Sequence, residues 1–232
     1  MARLIASLHR PDGRVAVAGF YDRVRELSPD ERAEIAALPF DEATYLGQVG
    51  ASAAVGEPGY GTLERQWTRP TLEVNGMGGG YQGPGQKTVV PSVAHAKITC
   101  QLVPDQDPDE IVALLTRPLE SHVPDGARLT IRPGDHGARP FHIDRDNPTL
   151  KAARAALEAT YGVAPLTVRM GGTVPVAEIF QRLMGLDTVY FSFSTGDEDF
   201  HAPNEFFRVH RLHEGLAAWA RLWDRLGGPA AP

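Results

Sequence analysis

One imidazole stands among acids and turn-formers in Gly196-Asp197-Glu198-Asp199-Phe200-His201-Ala202-Pro203-Asn204-Glu205. A histidine held in such a loop can ligate a metal, act as a general base or simply meet solvent, and spacing alone favours the surface reading. The acids at 197, 198 and 199 can orient that imidazole or form a solvated loop, and spacing favours the loop. Upstream, Arg169-Met170-Gly171-Gly172-Thr173 joins an apolar run to a helical one. Glycines there let backbone N–H groups approach an anion, although a plain tight turn accounts for them equally. Arg169 can clamp a carboxylate or form a rim ion pair. His136, in Gly134-Asp135-His136-Gly137, lies on a loop suited to a hinge or a substrate contact, with a solvated histidine as the default. Lys87-Thr88 can meet a ligand or merely start a strand. Cys100 reads as a small hydrophobe in a sheet, and His210 and His213 as helix surface.

These residues need elements to hold them. Ser28-Pro29-Asp30-Glu31 is a helix start, with the helix expected to reach about Leu38 before Pro39. The irregular stretch from Phe40 to Arg69 calls for at least one more short helix. Thr71 to Asn75 reads as a strand, Gly76 to Gly85 as a glycine-dense connection, and Thr88 to Val103 as a long alternating strand. A helix is expected from Asp109 to His122 and a further strand from Arg128 to Arg132. Beyond a boundary near residue 145, Asn147-Pro148 opens a helix to Tyr161, and strands are expected at Leu166–Arg169 and Thr188–Ser192. A helix to Met184 separates those strands, and a last one runs from Asn204 to Leu226. The first part has the order of an α+β sandwich with an antiparallel sheet; the second has the rhythm of a parallel α/β sheet. Two parallel strands and three helices cannot close a core, so the second part reads as the end of a larger domain.

Composition narrows the class. The chain has 232 residues, 42% hydrophobic and 22% charged, and a net charge of -6 from 23 basic and 29 acidic side chains. An acidic balance argues against nucleic acid or an anionic membrane surface as partner. No apolar run is long enough to span a bilayer and no secretion signal is evident, so a cytoplasmic setting is expected. One cysteine excludes an internal disulfide and any multi-thiolate metal site.

Six segments occur in an order that carries a resemblance: Arg69-Pro70-Thr71-Leu72-Glu73-Val74-Asn75-Gly76, Gly78-Gly79-Gly80-Tyr81, Lys87-Thr88-Val89-Val90-Pro91, Leu102-Val103-Pro104-Asp105-Gln106-Asp107-Pro108, Gly171-Gly172-Thr173-Val174-Pro175 and His201-Ala202-Pro203-Asn204-Glu205. Together they resemble the carnosinase-like dipeptidases of the two-zinc exopeptidases, a group that also holds aminoacylases and the desuccinylase of lysine synthesis. The resemblance implies that residues 1–145 form an α+β lid, or dimerisation, domain lacking its first segment. Residues 146–232 would be the carboxyl-terminal part of the α/β zinc domain. It implies His201 as a metal ligand and Thr88, His136 and Thr173 as substrate contacts, with the Gly171-Gly172 backbone lining the same pocket. Two zinc ions per full-length subunit are implied, with manganese or cobalt as alternatives. A peptide or N-acyl amino acid is the implied substrate, and a homodimer through the lid the implied assembly.

Two departures from the family pattern stand out. Gln101-Leu102-Val103-Pro104 replaces Arg-Leu-Val-Pro, and a neutral amide cannot reproduce a bidentate guanidinium grip on a carboxylate. The family's Glu-Glu pair with its general base and its Asp-Leu-His-Ser-Gly stretch do not occur in this sequence, and the one His-x-Asp triplet here, His142-Ile143-Asp144, follows the lid segments, whereas the family's ligand pair and bridging Asp precede them. The expectation is a carboxyl-terminal portion of a dipeptidase that lacks catalysis on its own. A non-catalytic dimerisation or binding module is the competing reading, and an N-acyl amino acid deacylase or desuccinylase the alternative within the family.

Overall fold

A computed structural model of the protein describes residues 1–134, 137–171 and 174–228. They divide into one compact unit of Met1–Phe141 with Val168–Glu178, and a second of His142–Thr167 with Ile179–Pro232. The architecture is α+β, and the described residues contain a single two-stranded antiparallel sheet.

In the first unit, helix α1 (Ala2–Ala6) leads through the turn at Pro11-Asp12-Gly13 to the irregular stretch holding Val15, Val17 and Phe20. Helix α2 (Pro29–Ala36) forms as its cap dictates. Glu31 N–H donates to Ser28 Oγ at 3.2 Å, Ser28 N–H donates to the Glu31 carboxylate at 2.9 Å, and Pro29 fills the first position. Two short helices, α3 (Glu42–Gln48) and α4 (Thr62–Thr68), occupy the stretch in which at least one was expected. Strand β1 (Thr71–Gly79) pairs with β2 (Ala94–Gln101), in register from Thr71↔Gln101 to Gly79↔Ala94 with a bulge between Val74 and Gly76.

β1 thus runs through glycines expected to lie in a connection. β2 is shorter than the long strand expected from Thr88, because pairing ends where Gly79 (φ 149°) and Gly80 (φ 74°) turn β1 away from its partner. Helix α5 (Pro108–Ser121), capped by Asp107, lays Ile111 and Leu119 onto the core formed by Leu4, Leu8, Val15, Val17, Phe20 and Leu72.

The expected strand at Arg128–Arg132 does not form. Leu129 and Ile131 pack against that core, but the segment has no ladder partner among the described residues, and a strand exists only by pairing.

In the second unit, α6 (Pro148–Tyr161) starts on Asn147, whose side chain accepts from Thr149 and Leu150 N–H, and ends at Gly162 in the left-handed region (φ 72°). It packs on α8 (Val209–Gly227) through a small core of Ala153, Ala156 and Leu222. Helix α7 (Pro175–Met184) has its first residues in the first unit and the remainder in the second.

The parallel sheet expected here is absent among the described residues, since neither 166–169 nor 188–192 carries ladder hydrogen bonds. The second segment keeps the alternation of a strand, with Val189, Phe191 and Phe193 half-buried and Tyr190, Ser192 and Ser194 exposed. α8 also starts later than Asn204. Asn204 sits at φ 67°, and the helix opens only after Arg208 N–H has found the Glu198 carboxylate at 3.3 Å.

α8 has a second apolar face. Val209, Leu212, Leu216, Trp219, Trp223 and Leu226 are all exposed, and their intervals of three and four residues draw a continuous seam along the helix.

Candidate functional site

The first unit holds a cavity of about 390 Å³ lined by Tyr45, Arg65, Gln66, Trp67, Gln101 and Gly171, with Arg69 and Thr71 at its wall. α3 supplies Tyr45, α4 supplies Arg65 to Trp67, and the paired strand ends supply Thr71 and Gln101. Gly171 approaches so closely that a Cβ there would lie 2.6 Å from the Gln66 carbonyl oxygen and 3.7 Å from the Gln101 side-chain amide, which is why this position needs glycine. Gln66 donates from its amide to the Tyr45 hydroxyl.

A buried ion pair fixes this wall. Arg69 donates from Nε and Nη2 to the two carboxylate oxygens of Glu57 at 2.7 and 3.0 Å, and from Nη1 to Glu26 at 3.2 Å. Its guanidinium also lies 4.3 Å from the Tyr60 ring centre. Arg69 and Glu57 are 5% and 8% exposed, so the bidentate geometry compensates two charges taken out of water. Tyr60 in turn donates to Glu26, and that bond, helped by Arg69, holds the Glu26 carboxyl below its usual range.

Of the sequence candidates, Gln101 and Gly171 therefore meet on one cavity. Thr88 is exposed in the connection between β1 and β2, where Lys87 sits 4.7 Å from the Tyr81 ring centre. Arg169 donates to Glu31 at 2.5 Å, which is the rim ion pair. His136, Gly172 and Thr173 lie outside the described residues. Cys100 packs against the core, and burial pushes its thiol up to about 11. Arg65, Trp67 and Tyr45 were not singled out from sequence. For Arg65 and Trp67 the available signal was closeness to Arg69-Pro70, where α4 hands over to β1; Tyr45, on α3, carried no such signal.

In the second unit His201 is exposed, with φ 59°, between Asp199 at φ 52° and Asn204 at φ 67°. Three non-glycine residues in the left-handed region need outside support. Glu198 supplies it, and its complete burial corrects the solvated-loop reading for this acid. It accepts from Thr195 N–H at 3.1 Å, from Arg208 N–H, and from Arg208 Nη1 at 3.2 Å. Asp197 takes Arg208 Nη2 at 2.7 Å and the Thr195 hydroxyl at 2.6 Å, and the Arg208 bond, with Thr195, brings its carboxyl down to about 2. Among the described residues no group of three or more His, Cys, Asp or Glu side chains is gathered to hold a metal ion. His201 is a single donor on a braced loop, and the donors described here do not fit a resident metal by themselves.

The first unit is a small α+β domain with a two-stranded antiparallel sheet, covering helices and a cavity, and comparison with known proteins makes the assignment. Residues 1–127 match the family model of the peptidase dimerisation domain, and the chain belongs to that family. It is 24% identical over 219 residues to the Cys-Gly metallodipeptidase dug1 of Schizosaccharomyces pombe, covering 93% of this chain and 46% of that protein. It is 26% identical over 225 residues to the human Beta-Ala-His dipeptidase, covering 96% of this chain and 44% of that one. The solved M20 family metallo-carboxypeptidase Sso-CP2 of Sulfolobus solfataricus superposes with a TM-score of 0.79 at 27% identity, over 95% of this chain and 50% of that one. The chain spans about half the length of these relatives. No helix among the described residues is long and apolar enough to cross a membrane.

Proposed function

We propose that this chain is the dimerisation domain and carboxyl-terminal part of a metal-dependent dipeptidase that hydrolyses the amide bond of a short peptide. The observation that carries this reading is the similarity to two metallodipeptidases, which runs through both units while the chain spans half their length. The first unit would pair with a second copy. The cavity holding Gln101 and Gly171 would receive part of the substrate, with Thr88, His136, Gly172 and Thr173 as further contacts.

His201 would be one ligand of a zinc centre, with manganese or cobalt as alternatives, whose remaining donors and general base lie on polypeptide outside these residues. The exposed seam of α8 supports that reading. Six apolar side chains in register are a surface waiting for cover, and the family match for self-association ends at residue 127, well before this helix. A further stretch of the same protein is the occupant that the relatives' length supplies.

Reading the frame upstream of Met1 tests the proposal. An in-frame His-x-Asp segment is expected, and the protein extended by it should hydrolyse Cys-Gly or β-Ala-His in the presence of zinc, manganese or cobalt. An extended protein that binds no metal and turns over no dipeptide would sink the enzyme reading in favour of a non-catalytic dimerisation module. Sedimentation should give a dimer, and a monomer at high concentration would count against the pairing.

A further inference from the structure

We infer that Arg65 is the carboxylate-recognising residue of the cavity in the first unit, supplying the guanidinium that position 101 lacks. The inference rests on the proposed reading of that cavity as a substrate pocket and adds the residue that sets its ligand class. Two arginines line the cavity, and among the described residues no aspartate or glutamate does. Arg69 is spent, because Glu57 and Glu26 take its donors and Tyr60 covers its face. Arg65 is different. Its Nε donates to the main-chain carbonyl of Glu57 at 2.9 Å, which fixes the plane of the fork, and among the described residues it enters no ion pair. A half-buried guanidinium anchored through Nε and lacking a counter-charge is suited to a bidentate grip on a carboxylate. Gln101 lines the same cavity and can add a neutral amide donor. The volume of about 390 Å³ suits a ligand of amino-acid to dipeptide size, and the Trp67 and Tyr45 rings offer its apolar part a surface.

The ligand class is thus a small molecule ending in a free carboxylate, and discrimination against the corresponding amide is the property to measure. Titration of the isotope-labelled chain with Ala-Gly and with Ala-Gly amide, followed by NMR at the Gln101 and Gly171 backbone amides, should show the acid binding about tenfold more tightly. Arg65→Gln should erase that difference, chiefly by weakening the acid. Arg65→Lys should keep part of it, and adding Gln101→Arg to Arg65→Gln should restore it. Equal binding of acid and amide by the native chain, or a difference that survives Arg65→Gln, overturns the inference. Inorganic phosphate binding more tightly than the dipeptide also overturns it, as the mark of a general anion site. The outcome is separable from the dipeptidase reading. Acid-over-amide discrimination without hydrolysis by the extended protein leaves Arg65 standing and sinks the enzyme; hydrolysis without an Arg65-dependent difference does the reverse.

Discussion

The two units bury different things. The first closes over Leu8, Phe20 and Leu72, large side chains nearly out of reach of water, and adds the Glu57–Arg69 pair at its margin. The second closes over three alanines and one leucine, while Leu216 and Trp223 on the same helix stand 61% and 64% exposed. Full burial of one large apolar side chain stabilises by about 1.5–3 kcal/mol, so the first unit has the means to hold itself together and the second leaves much of its own unused. A family match that ends at residue 127 coincides with the self-sufficient part. The contrast predicts that urea unfolds the second unit first, and variants in each unit can break or sharpen that claim.

The largest effect is expected at Arg69. Arg69→Ala leaves the buried Glu57 carboxylate with only the 3.5 Å ion pair to Arg14 in place of its bidentate partner and should cost the first unit about 3 kcal/mol, read as a lowered urea midpoint at unchanged slope. Replacing both partners, as Arg69→Met with Glu57→Leu, should cost less than the single change, because no charge is left unpaired. A single variant within about 0.5 kcal/mol of native would show that the wall of the cavity does not depend on this pair.

Next comes Gly171→Ala, whose methyl group would have to displace the Gln66 carbonyl, a backbone atom that cannot swing aside. Overpacking of this kind costs about 1–3 kcal/mol, and it should also weaken binding at the cavity. By contrast, Gly78→Ala meets the ring of His95, the far end of a side chain that can move, and should be milder. Equal losses at the two positions would mean that Gly171 is not held against α4.

The elements that sequence made legible were those determined within a few residues. Asn147-Pro148 and Gly162 bracket α6 at the expected ends, and Ser28-Pro29-Asp30-Glu31 starts α2 where caps, proline and acids agree. Strands at 128–132, 166–169 and 188–192 were over-read, because alternation is local whereas a ladder requires a partner that these residues do not meet. The site divides in the same way. Gln101 and Gly171 emerged from motif resemblance, and the structure joins them on one cavity. Arg65 was missed and Glu198 was read as part of a solvated loop, since their importance lies in what surrounds them: a carbonyl anchor with no ion pair among the described residues in one case, complete burial against Arg208 in the other.

A smaller effect is expected from the brace on the His201 loop. Asp197 is held from the ordinary 3.8 down to about 2, chiefly by Arg208. A depressed carboxyl contributes stability that is fully present above its unfolded value and is lost as pH falls through the folded one. The Asp197 contribution to the loop should therefore be lost between pH 3.8 and about 2. NMR titration of the Asp197 carboxyl should give a midpoint near 2, and Arg208→Ala should return it toward the ordinary value. An unchanged midpoint in that variant would remove Arg208 from the brace.

The smallest effect in the chain itself should come from Leu216→Ala, and it is the sharpest test of the contrast. Leu216 is 61% exposed, so truncation removes little buried area and should shift stability by no more than about 0.5 kcal/mol. The facing Leu222, 3% exposed on the same helix, should cost about 2–5 kcal/mol for the same change. In a protein extended by the proposed upstream segment the two positions should converge, because a covered Leu216 would become a core residue whose loss leaves a cavity. A core-sized loss at Leu216 in the chain alone has one further diagnostic. If it grows with protein concentration, the seam is buried between two copies and the cover comes from self-association; if it does not, the second unit closes its own core and the contrast between the units fails.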